Sequence, residues 1–187
     1  MGIAKKHIIT IAGRPGSGKS TAAKAIALQL GFRHFSSGDL FRELAKQRGI
    51  DVLQANLTAE EKESENAELD RLVDGRLRDI GAQEDRRVID SRTAWHWIPL
   101  SFKVFLDLDL RVGAERILNN MDEARLASEH IHRDPIEYAR ILQDRLDSET
   151  RRYKALYDID PYDMSNYDLV IDTAANDAGQ VVTLVVQ

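Results

Sequence analysis

Nine consecutive residues, Gly13-Arg14-Pro15-Gly16-Ser17-Gly18-Lys19-Ser20-Thr21, have the types and spacing needed to hold a chain of phosphates. The glycines let the backbone take conformations that a Cβ would block. Consecutive N–H groups then turn inward and form an anion nest at a helix N-terminus. Lys19 adds a cation for the terminal phosphates, and the Ser20 hydroxyl is a ligand for Mg²⁺. Glycine, four residues, then Gly18-Lys19-Ser20 is the full P-loop pattern. It states that a nucleotide binds and leaves open what receives a phosphate.

Other side chains address that question. Arg42 and Arg92 each follow a predicted strand, and a guanidinium fork suits phosphate oxygens. Two such arginines facing a P-loop point to a second phosphate site. Arg42 also reads as an ordinary solvated helix residue, and Asp39 as a helix N-cap. Asp90 ends a short apolar run, where a carboxylate orients Mg²⁺ or its waters. Asp107 and Asp109 compete for that role. Asp90 is favoured because its strand is expected beside the first. Arg145 and Arg152 lie two helical turns apart and share a face. Positioned arginines stabilise the charge of a transferring phosphoryl group. On spacing alone, an exposed salt-bridged helix with an Asp147–Arg151 pair explains these two slightly better. Trp95 and Trp97 read as core anchors. His130 and His132, two apart in a polar stretch, are no convincing ligand pair, so the only metal expected is nucleotide-borne Mg²⁺.

These residues need a scaffold that brings strand ends together. His7–Ala12 is β-branched and apolar, as a strand buried in a parallel sheet should be. Ala22, Ala23, Ile26 and Leu30 follow at helical spacing, with Gly31 as a stop. Further strands are predicted at Gly31–Phe35, Arg86–Asp90, Phe102–Leu110 and Tyr167–Asp172. Helices are predicted between them, one with a capping box at Thr58 and Glu61. Asp134-Pro135 opens a long helix to about Tyr157. The final Gly-Gln-Val-Val-Thr-Leu-Val-Val-Gln run has strand composition, but its place in the alternation favours a helix. The alternation itself predicts an α/β fold, a parallel sheet with helices on both faces, whose ligands sit at the carboxyl ends of the strands.

The 187 residues suffice for one domain with a sizeable core. A net charge of −5, without a basic stripe, argues against nucleic acid as a partner. The absence of cysteine removes disulfides, thiolate metal sites and cysteine nucleophiles. No stretch is long and apolar enough to span a membrane, and the N-terminal apolar run is too short for a signal peptide. A soluble, cytoplasmic protein is expected.

Several motifs together resemble one family. Gly13–Thr21 fits the Gly-x-Pro-Gly-x-Gly-Lys loop of nucleoside monophosphate kinases. Ser36–Ile50 resembles their monophosphate-binding motif. Glu68–Arg76, Val88–Arg92, Phe105–Ile117 and Asp144–Thr173 resemble the archaeal-type cytidylate kinases in order and spacing. The resemblance implies a P-loop NTPase fold, three-layer α/β/α with a five-stranded parallel sheet. It implies a single kinase domain over 1–187, with a monophosphate-binding insert at about 37–85 and a lid at about 116–155. It implies ATP–Mg²⁺ as donor and CMP or dCMP as acceptor; a monomer is expected. Carried over by position, Ser37 and Gly38 shape the acceptor pocket, Arg42 and Arg92 hold the acceptor phosphate, and Arg145 and Arg152 stabilise the transferring group. Arg116 lies near the donor adenine. Asp70, Asp74 and Arg76 fall on one helix in the acceptor region, where a carboxylate can accept the cytosine amino hydrogens. Individually they also read as solvated helix charges. The residues alone leave open another monophosphate such as AMP or UMP, a small hydroxylated metabolite, or a non-catalytic ATP-binding regulator. The acceptor-side arginines favour a phosphorylated acceptor, and the paired lid arginines favour an enzyme.

Overall fold

The structure, a computed structural model, describes residues 7–49, 63–121 and 133–187. The Thr58–Glu61 capping box, His130 and His132, and residues 122–132 of the expected lid lie outside the described residues. Five strands alternate with helices: β1 (Ile8–Gly13), α1 (Lys19–Leu30), β2 (Arg33–Ser36), α2 (Ser37–Gln47), α3 (Glu63–Gln83), β3 (Arg87–Asp90) and the short α4 (Ala94–Trp97). Then come β4 (Phe102–Asp107), α5 (Leu110–Asn119), α6 (Pro135–Tyr157), β5 (Leu169–Asp172) and α7 (Ala178–Val186). All strand pairs are parallel, in the order β2-β3-β1-β4-β5.

The two-residue period of β1 divides the core. Ile9 and Ile11 pack with Ala23 and Ile26 of α1 and Val181, Val182 and Val185 of α7. Ile8 packs on the opposite face with Val73, Leu77 and Ile80 of α3. These are the outer layers of a three-layer α/β/α sandwich. Leu69, Val73, Leu77 and Ile80 form the buried stripe of α3, each worth roughly 1.5–3 kcal/mol on burial. Asp70 and Asp74 lie one step round from that stripe, so packing α3 on the sheet directs both carboxylates to its edge. The stripe of α6 is Leu142, Leu146, Glu149 and Tyr153, with a carboxylate at a core position.

The sequence-based boundaries hold with local exceptions. Gly31 stops α1 in a left-handed conformation, with φ 64°. Asp134 caps α6 ahead of Pro135. The last segment is helical because Asp177 and Gln180 form a capping box. The fourth strand ends at Asp107, short of Leu110, because the Asp109 carboxylate accepts from the amides of Arg111 and Val112 and starts α5. Asp39 is not the cap of α2. Ser36 is, its hydroxyl accepting from the Asp39 amide, while Asp39 pairs with Arg42. No helix among the described residues is long and apolar enough to cross a membrane.

Candidate active site

The β1–α1 loop leaves the sheet beside β4, where the Arg14 amide donates to the Leu106 carbonyl at 3.1 Å. Gly16 has φ +76°, and a Cβ there would lie 2.6 Å from Gly113 Cα in α5. Only glycine at both positions lets the loop rest against that helix. Ser17 Oγ is buried and without a hydrogen-bond partner among the described residues. Lys19 Nζ donates to the Arg14 carbonyl at 3.2 Å. Burial, reinforced by Arg92, lowers its pKa to about 8, with Asp90 and Glu149 opposing. Ser20 donates through its hydroxyl to Asp90 Oδ2. The parallel register sets Asp90 beside Ile11 of β1 and Ser36 of β2, so strand order brings this carboxylate to the loop. The competing carboxylates have other work: Asp107 Oδ1 takes Arg14 Nε at 2.8 Å, and Asp109 caps α5. Arg14 also lines a groove with Asp107, Arg111 and Arg140.

One cavity, of about 520 Å³, opens against Gly16, Ser17, Gly18 and Thr21. Its far wall is Arg116, Asn120, Thr173 and Asn176. Arg116 Nη2 donates to the Thr173 carbonyl at 2.8 Å, and Asn120 Nδ2 donates to the Arg116 carbonyl at 2.7 Å. Sequence reasoning named Arg116 and missed Asn120, Thr173 and Asn176, which are ordinary polar residues until β5 and α7 dock beside α5.

A second, smaller cavity of about 90 Å³ lies on the β3 side of the loop. α2 supplies Ser37, Gly38 and Arg42, α3 supplies Asp70 and Asp74, the β3–α4 loop supplies Arg92, and α6 supplies Arg145 and Arg152. Ser37 Oγ donates to the Asp90 carbonyl at 3.3 Å, tying the two ligand edges together. Three guanidiniums pair with carboxylates at Nε: Arg145 by a hydrogen bond to Glu149 Oε1 at 3.0 Å, and, as ion pairs, Arg92 with Glu149 Oε2 at 2.7 Å and Arg152 with Asp70 Oδ2 at 2.9 Å. A guanidinium held at Nε can present its two terminal nitrogens to phosphate oxygens. Arg42, exposed and paired with Asp39, is the least constrained of the set.

The carboxylates here are not solvated helix charges. Asp70 is 6% exposed and Asp74 2%. Burial raises Asp70 to about 6 against the pull of Arg152. Asp74 Oδ1 accepts from Thr93 Oγ1 at 2.9 Å, while its Oδ2 has no hydrogen-bond partner among the described residues. Arg76 stays outside the cavity and pairs with Glu84 at 3.0 Å. Arg145 and Arg152 flank the buried stripe of α6, and the Arg152 guanidinium lies over the Tyr153 ring at 5.2 Å. Asp147 accepts from Gln143 at 2.7 Å. Trp95 is buried with Tyr153 and Ile159, as a core anchor should be, and Arg78 covers Trp97 at 4.5 Å. Glu149 was missed, although a glutamate on an apolar stripe four residues after Arg145 marks a buried ion pair. Burial would raise its pKa, but Arg92, Arg145 and the Tyr162 hydroxyl prevail and hold it at about 2. The described residues contain no cluster of His, Cys, Asp or Glu able to hold a metal by itself.

A family model described as an AAA domain matches residues 12–153. The cytidylate kinase of Haloarcula marismortui is 39% identical, across 95% of this chain and 86% of the relative. That of Natronomonas pharaonis is 40% identical, across 89% of this chain and 81% of the relative. Among solved structures, the shikimate kinase from Bacteroides thetaiotaomicron aligns over 96% of both chains with a TM-score of 0.61. At 15% identity that likeness shows the P-loop kinase fold alone. With a phosphate loop, two flanking cavities and relatives matched along nearly its whole length, the chain belongs to the cytidylate kinase family.

Proposed function

We propose that this protein transfers the γ-phosphoryl group of ATP to CMP or dCMP, giving ADP and CDP or dCDP. The observation that carries this reading is the pairing of the P-loop with a second cavity lined by Arg42, Arg92, Arg145 and Arg152. An acceptor with its own phosphate suits four guanidiniums; a neutral hydroxylated acceptor does not. The nucleotide fits the first cavity, where the unpartnered Ser17 hydroxyl meets the inward-facing loop. The Ser20 and Asp90 oxygens, already in contact, would hold Mg²⁺ or its waters. That ion neutralises phosphate charge when bound.

The residues divide the work. The loop amides and Lys19 grip the donor phosphates, and Arg116 borders its base. Arg42 and Arg92 hold the acceptor phosphate near the donor, with Ser37 and Gly38 forming the floor. An oxygen of that phosphate attacks the γ-phosphorus, and the bond to the β–γ bridging oxygen breaks. The acceptor phosphate is largely a dianion at neutral pH, so no general base is needed. Arg145 and Arg152 stabilise the charge that spreads over the equatorial oxygens, a contribution of roughly 10³-fold or more in rate. Asp70 and Asp74 face the acceptor base. A carboxylate there accepts from the cytosine amino group and repels the uracil carbonyl.

Residues about 37–85 act as the acceptor-binding insert and about 116–155 as a lid that excludes water. The protein works as a cytoplasmic monomer on small nucleotides, with no nucleic acid or membrane partner. The test is ADP release from ATP–Mg²⁺ with CMP, dCMP, UMP, AMP, GMP and no acceptor. Turnover dependent on CMP or dCMP is expected. Preference for another monophosphate would move the error to the base-reading carboxylates. Binding of ATP without acceptor-dependent turnover would refute the enzyme reading.

A further inference from the structure

Tyr162 has no place in the sequence reading, yet its hydroxyl sits inside the arginine cluster. It donates to Glu149 Oε2 and accepts from Arg92 Nε at 3.1 Å. Three elements distant in sequence meet there: the β3–α4 loop, the middle of α6, and the turn after α6. That turn is firmly built. Asp158 reverses the chain with φ 57°, Asp160 Oδ1 accepts from the Tyr162 amide at 2.8 Å, and the Asn166 side chain donates to the Asp160 and Asp163 carbonyls.

We infer that Tyr162 is a positioning residue for the acceptor phosphate: its hydroxyl locks Glu149 and Arg92 into one unit and fixes the direction in which Arg92 presents its terminal nitrogens. The inference rests on the kinase reading above. Glu149 is 3% exposed and must satisfy its oxygens from Arg92, Arg145 and Tyr162. A single Arg92–Glu149 contact at Nε leaves the guanidinium free to swivel about that point. The single Nε hydrogen goes to the tyrosine oxygen, which passes its own hydrogen to Glu149 Oε2, so a ring with only two side-chain torsions sets the direction of that bond beside the Arg92–Glu149 ion pair. Hydrogen bonds to charged groups are the strong ones, so losing this bridge costs affinity for whatever Arg92 grips.

The test is calorimetric titration of Tyr162→Phe with CMP and with cytidine, which has the same base and sugar but no phosphate. CMP affinity should fall about 10-fold or more, the scale of one hydrogen bond to a charged partner. Cytidine affinity should stay within about twofold, because Arg92 holds the phosphate. Tyr167→Phe is the control: its hydroxyl, in the same turn, donates to the Pro161 carbonyl at 2.7 Å rather than to Glu149. It should disturb the turn and leave CMP affinity unchanged. Equal losses for CMP and cytidine, or equal CMP losses in both variants, would make Tyr162 merely structural and overturn the inference. Wild-type CMP affinity in Tyr162→Phe would do the same. A wild-type protein that phosphorylates CMP while the variant binds it normally refutes Tyr162 alone. A wild-type protein that phosphorylates no monophosphate refutes the kinase reading, and this inference with it.

Discussion

At the scale of single residues, the site is a set of charges tuned by burial. Lys19 is lowered to about 8 and Asp70 raised to about 6, each chiefly by desolvation. Between those values Lys19 is an ammonium and Asp70 a carboxylate paired with Arg152. The rate at limiting substrate should therefore fall below about pH 6 and above about pH 8. A pH profile of kcat/KM checks this, and a flat profile across both values would contradict it. Stability responds with its own sign. The folded protein holds the Asp70 proton between 3.8 and about 6, where the unfolded chain has lost it, so this group's stabilisation declines as pH rises across that window. In the proposed reading Asp74 carries the base preference, with Thr93 donating to its Oδ1 and Oδ2 accepting from the cytosine amino group. Asp74→Asn should lower the preference for CMP over UMP at least about tenfold, since an amide can donate to the uracil carbonyl. Steady-state rates with both acceptors measure it, and an unchanged ratio would remove Asp74 as the reader. The P-loop residues were legible in sequence because their chemistry is local. Glu149 and Tyr162 were not, because their roles exist only once α6 and the following turn pack against Arg92.

Elements position these residues through close contacts that tolerate little change. The P-loop rests on α5, where a Cβ added to Gly113 would lie 2.5 Å from the Pro15 carbonyl. Alanine at a helical position gains about 1 kcal/mol in propensity over glycine. Overpacking costs about 1–3 kcal/mol, and here the opposing atom is backbone. The clash should win. Gly113→Ala is expected to unfold at lower denaturant and to raise the KM for ATP more than that for CMP. A variant more stable than wild type, with normal ATP kinetics, would show that the loop and helix separate freely. Element types were readable from periodicity and caps, as Asp134-Pro135 and the Asp177–Gln180 box illustrate. Boundaries were less so. Asp109 and Ser36 decide where β4 ends and α2 begins, and several nearby polar residues could have served.

The whole molecule arranges one sheet so that two cavities open on either side of the P-loop, at the carboxyl ends of adjacent strands. Strand order is what does this: β1 lies between β3 and β4, so the P-loop stands between the Asp90–Arg92 edge and the Leu106–Asp109 edge. The alternation of strands and helices made the sheet foreseeable, and the β1–β3 neighbourhood was the basis for choosing Asp90. The enclosure of Asp70 and Asp74 was not foreseeable, since it depends on α3 and α6 closing over the same cavity. In the proposed reaction the phosphoryl group passes directly between two bound nucleotides. ATP labelled in its γ-phosphate, incubated with CMP and the protein and followed by product separation, traces that transfer. Label is expected in the β-phosphate of CDP, with none retained on the protein and little released as inorganic phosphate. Label appearing as inorganic phosphate at the same rate with and without CMP would contradict direct transfer.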